Sequence, residues 1–101
     1  MIMGVGCDGG MTDEIWVPDR CLVALTDDMP VKNACLVEPI AVAVHGIRDG
    51  GVATGDRVAI VGGGTIGLCA AVAAQDVGAE VSVIARHEHQ VEAAQKLGSV
   101  A

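Results

Sequence analysis

The sequence predicts an α/β fold, with a few buried parallel strands covered by helices of small residues. Three observations predict it. Half of the 101 residues are hydrophobic (51%), yet the one aromatic is Trp16, so a core has to be assembled from Val, Ala, Ile, Leu, Met and Cys. From Arg57 onward, short apolar runs of strand length alternate with longer Ala-rich runs. The longer runs are closed by Gly78 and Gly98, the residue type that best tolerates the left-handed position ending a helix.

The elements follow in order. Gly9-Gly10 opens a stretch of β-type residues, Met11 to Val17, that stops at Pro18 and predicts a strand. Cys21 to Leu25 is a second short apolar run, closed by the turn-prone Thr26-Asp27-Asp28-Met29-Pro30. Pro39 suits the first turn of a helix, where its missing N–H costs nothing, and predicts a helix from about Pro39 to Arg48. A loop through Asp49-Gly50-Gly51 and Thr54-Gly55-Asp56 leads to a strand over Arg57 to Val61. A helix over Thr65 to Val77, a strand over Glu80 to Ala85 and a helix over about His89 to Leu97 complete the pattern. The helix between the two strands is the crossover that parallel strands require.

The charge and cysteine content narrow the function classes. A net charge of −7 with no basic stripe repels a phosphate backbone, which argues against nucleic acid as a partner. A small anion can still bind where a helix N-terminus offers unpaired N–H groups. Cys7, Cys21, Cys35 and Cys69 form no C-x-x-C pair, so neither a zinc ribbon nor a redox dithiol is encoded, and reduced thiols are expected. The most apolar stretch, Val58 to Ala74, is shorter than the ~20 residues of a spanning helix and is interrupted by Gly62-Gly63-Gly64, so no membrane span is expected. With no basic start leading into an apolar run, the cytoplasm is the default compartment.

Gly62-Gly63-Gly64-Thr65-Ile66-Gly67 fits G-x-G-x-x-G between an apolar strand and an apolar helix. In that setting Gly62 makes the tight turn, Gly64 admits a pyrophosphate, and Gly67 lets helix approach strand. The amides near Gly64, Thr65 and Ile66 are expected to face the phosphates. Dinucleotide folds that take NAD commonly carry an acid about twenty residues further on, to hold the ribose 2′-hydroxyl. Here Glu80 to Ala85 is followed by Arg86-His87 instead. Ala85 leaves room for a 2′-phosphate and Arg86 can pair with it bidentately, so NADP is favoured over NAD. The competing reading makes Arg86 a surface cation balancing Glu88 or Glu92, with His87 and His89 solvated.

Three blocks in this order carry a family resemblance. Leu36-Val37-Glu38-Pro39-Ile40-Ala41-Val42-Ala43-Val44-His45, then Gly55-Asp56-Arg57-Val58-Ala59-Ile60-Val61-Gly62-Gly63-Gly64-Thr65-Ile66-Gly67-Leu68, and the earlier Gly9 to Pro18, resemble the alcohol, polyol and threonine dehydrogenase branch of the zinc-dependent medium-chain dehydrogenases. The resemblance implies a partial Rossmann fold, a doubly wound parallel sheet, preceded by a short β segment from a barrel-like catalytic domain. It divides the chain into residues 1–30 as a remnant of that catalytic domain, 31–51 as a connecting helical segment, and 52–101 as the first half of the dinucleotide-binding domain.

The family transfers a hydride between an alcohol or carbonyl substrate and a nicotinamide cofactor beside a zinc ion, usually as a homo-oligomer. By resemblance Glu38 lies beside that metal and is the one metal-site candidate; its bland alternative is a carboxylate at a helix start, stabilised by the dipole. His45, on the same helix face, reads as a packing residue. The family's remaining zinc ligands, a Cys and a His-Glu pair, have no counterpart here, and a catalytic zinc takes three protein ligands, so the chain is not expected to hold zinc or to be catalytically competent alone. It reads as a fragment. Two other readings stay open: part of a flavin-dependent pyridine nucleotide–disulfide reductase, and a non-catalytic association module that keeps the half-fold.

Overall fold

The computed structural model describes residues 3–101. A two-stranded parallel sheet carries the fold: β1 (Arg57–Val61) pairs with β2 (Glu80–Ile84) in a register that sets Arg57 opposite Glu80 and Val61 opposite Ile84. Helix α2 (Thr65–Val77) makes the crossover, α1 (Val37–Asp49) packs on α2, and α3 (Glu88–Lys96) follows β2. Val100 adds a bridge to β2: the Val83 amide donates to its carbonyl at 2.7 Å and its own amide donates to the Val81 carbonyl at 3.1 Å. Strand groups alternate in direction, and Glu80 and Ile84 bond toward β1, so Val100 lies on the opposite edge of β2.

The predicted boundaries hold within a residue or two from α1 onward, and the chemistry that ends each helix explains why. After α2, Gly78 sits at φ 94°, its amide donates to Gln75, and the Ala79 amide donates to Ala74. After α3, Gly98 at φ 85° repeats the arrangement, with Gly98 to Gln95 and Ser99 to Ala94. At α1 the left-handed residue is Gly51 (φ 68°), with Gly51 to Arg48 and Val52 to Ile47. All three are Schellman caps, which satisfy the last free carbonyls of a helix.

The core is made of the smallest side chains. Ala71, Ala74 and Ala94 are fully buried, and with Ala79, Val81 and Val83 they form one cluster, flanked by Ile47, Val52, Val58, Ile60 and Leu68. Ala43, Cys69 and Ala73 close the α1–α2 contact. With so little bulk between them, helix and sheet backbones come close together. Buried Ser99 accepts a 3.0 Å hydrogen bond from Gln75 and so is not left unsatisfied.

The strand expected over Met11 to Val17 does not form. That stretch is bend and coil, Trp16 is 96% exposed, and no residue before Ala43 is buried among those described. A strand exists only as part of a ladder, and nothing among the described residues pairs with this one. Cys21 to Leu25 is likewise irregular after a 3₁₀ turn at Asp19–Cys21. The turn at Thr26 is present, closed by the Met29 amide on the Thr26 carbonyl at 3.0 Å. A second 3₁₀ segment, Val31–Leu36, leads into α1 without a signal in the sequence. The radius of gyration, 16.0 Å, exceeds the ~13 Å of a compact domain of this length because the first third of the chain lies outside the core. Among the described residues no helix is long and apolar enough to cross a membrane.

Candidate functional site

The glycine turn joins β1 to α2 at the carboxyl ends of both strands. Gly62 bends the chain at φ 117°, a conformation that residues with a Cβ rarely adopt, and its amide donates to the Ile84 carbonyl at 2.8 Å, tying the turn to the end of β2. A Cβ on Gly67 would fall onto the Gly62 carbonyl oxygen and lie 3.5 Å from Ile60 Cγ2, so this glycine sets how closely α2 approaches β1. Gly64 has the opposite surroundings: its backbone is extended (φ −81°, ψ −175°), and a Cβ there would meet nothing within 4 Å.

Gly64 is also the N-cap of α2 and contributes no side-chain cap. The first amides of a helix have no intrahelical acceptor, and among the described residues no loop carbonyl accepts from Gly64, Thr65 or Ile66. These donors open toward solvent at the positive end of the α2 dipole, an arrangement suited to an anion.

Beyond the turn is an open cleft of about 410 Å³, walled by Gly62 to Gly64 on one side and by Ile84 to His87 with Gln90 on the other. The structure therefore brings together Gly62, Gly64, Ala85 and Arg86, with Thr65, Ile66 and Gly67 continuing from the turn into α2. Glu38 does not join them among the cleft's lining residues; it is exposed in the first turn of α1. Among the described residues no three His, Cys, Asp or Glu side chains gather as a metal-holding group.

One side chain differs from the reading of the sequence, and two others gain detail. His45 is no packing residue: its side chain is 78% exposed and its Nε2 lies 3.3 Å from Asp49 Oδ2, because the buried stripe of α1 runs through Ala43 and Ile47. Arg86 is exposed and, among the described residues, forms no ion pair with Glu88 or Glu92. Ala85 is needed for packing as well as for space, since a Cβ on Gly63 would come within 2.8 Å of the Cβ atoms of both Ala85 and Gln90. Gly63 and Gln90 escaped the sequence reading because the motif leaves their positions unspecified. None of the four cysteines is in a disulfide.

A parallel βαβ unit whose glycine turn opens at the strands' carboxyl ends defines the first part of a Rossmann-type dinucleotide-binding fold. In sequence and in fold the chain is similar to zinc-type alcohol and polyol dehydrogenases. It is 35% identical over 97 residues to an uncharacterized zinc-type alcohol dehydrogenase-like protein of Haemophilus influenzae, covering 96% of this chain and 28% of that one. It is 38% identical over 92 residues to L-galactonate-5-dehydrogenase of Escherichia coli, covering 87% and 27%. The crystal structure of galactitol-1-phosphate dehydrogenase from Escherichia coli superposes with a TM-score of 0.81 at 33% identity, over 92% of this chain and 27% of that one. An alcohol dehydrogenase from Thermus sp. ATN1 gives 0.69 at 31% identity, over 75% and 23%. The chain thus spans about a quarter of the length of these relatives. Residues 57–98, from β1 to just past α3, also match the family described as pyridine nucleotide-disulphide oxidoreductase.

Proposed function

We propose that the chain is the nucleotide-binding portion of an oxidoreductase that transfers a hydride between an alcohol or polyol and a nicotinamide cofactor, with NADP preferred over NAD. The observation that carries this is the empty space in front of Gly64, bordered by free amides of α2 and leading to Ala85 and Arg86. A diphosphate fits against Gly64, Thr65 and Ile66, where Gly62 and Gly67 hold strand and helix close enough to present the amides. The adenosine end then lies over Ala85, and Arg86, with no carboxylate partner among the described residues, meets a 2′-phosphate through charge-assisted hydrogen bonds. When bound, the nicotinamide supplies hydride chemistry; the residues present here bind and orient the adenosine half.

On this reading residues 1–30 belong to a catalytic domain, 31–51 connect, and 52–101 begin the nucleotide domain. The activity and an alcohol or polyol substrate follow the relatives' names, and homo-oligomeric assembly and a cytoplasmic setting are part of the same proposal. The residues present do not fit zinc. Glu38 is one exposed carboxylate where a catalytic site takes three protein ligands, and among the described residues no group of three His, Cys, Asp or Glu gathers.

The match to disulphide oxidoreductases supports a second reading, but it covers only residues 57–98, from β1 to just past α3, whereas the likeness to alcohol dehydrogenases continues through the Glu38-Pro39 block. No two of Cys7, Cys21, Cys35 and Cys69 form the C-x-x-C pair of a redox dithiol. Calorimetric titration of the folded chain with NADPH and NADH tests the proposal. NADPH is expected to bind more tightly, and Arg86→Ala to cost it about tenfold while sparing NADH. Indifference of a folded sample to both nucleotides would overturn the reading.

A further inference from the structure

We draw no further inference here: the strongest candidate, the open edge of β1, where Arg57, Ala59 and Val61 turn their backbone groups away from β2, carries nothing, because nothing in the structure shows what covers it.

Discussion

Gly64→Ala and Gly67→Ala add the same methyl group to one turn, and the structure separates their outcomes. At Gly64 the extended backbone accepts any residue and the new Cβ meets nothing within 4 Å. Alanine is a poorer N-cap than glycine by up to about 1 kcal/mol, and its stiffer unfolded chain returns about 0.4–1 kcal/mol. The net change is within about 0.5 kcal/mol, or no more than roughly 4 °C in Tm. The methyl is expected to enter the open space in front of the turn, where the proposed diphosphate sits. Displacing a phosphate oxygen from one such charge-assisted hydrogen bond costs about 1.5–3 kcal/mol, roughly 10- to 150-fold in Kd. At Gly67 the methyl falls onto the Gly62 carbonyl, a backbone atom that cannot rotate aside, so β1 and α2 must separate. Overpacking of this kind costs about 3 kcal/mol, a fall of roughly 12–24 °C. Thermal unfolding by circular dichroism, with calorimetric titration of NADPH, reads both. A Gly64→Ala variant that binds NADPH as tightly as the parent, or a Gly67→Ala variant that melts with it, refutes the reasoning.

Gly78→Ala places a Cβ at φ 94° and 3.0 Å from Thr54 Cγ2, so a loss of about 1–2 kcal/mol is expected, measured as a lower urea midpoint at unchanged slope. An unchanged midpoint would mean that the cap after α2 is not strained by a side chain. Exposed Cys21 and Cys35 are expected to react with a thiol reagent within the mixing time, and Cys69, 7% exposed between α1 and α2, only as the fold opens. Equal rates at all three would contradict the burial of Cys69.

From α1 onward the fold was legible because local chemistry and tertiary need agree. Gly78 and Gly98 end their helices for a reason that operates within a few residues, and Gly62 bends the chain whatever lies around it. Met11 to Val17 has the residues of a strand, but whether a strand forms depends on a partner ladder, which composition does not encode. The site was legible to the same degree. The glycine spacing marked the turn, whereas the crowding of Gly63 by Ala85 and Gln90 joins segments more than twenty residues apart and appears only once β1 and β2 are paired. His45 was misjudged because an Ala/Val helix offers several faces, and the packing of α2 alone selects the one through Ala43 and Ile47.

A fold interior built from Ala43, Ala71, Ala73, Ala74, Ala79 and Ala94 has a practical consequence for mutagenesis. Scanning by truncation to alanine reads little here beyond Cys69, Val81 and Val83, since the other buried hydrophobics are already alanine and have nothing left to remove. Enlargement is the informative direction: Ser, Val and Leu introduced one position at a time would map how closely each pair of backbones approaches. Random libraries of this chain should accordingly lose function through added bulk more often than through missing bulk.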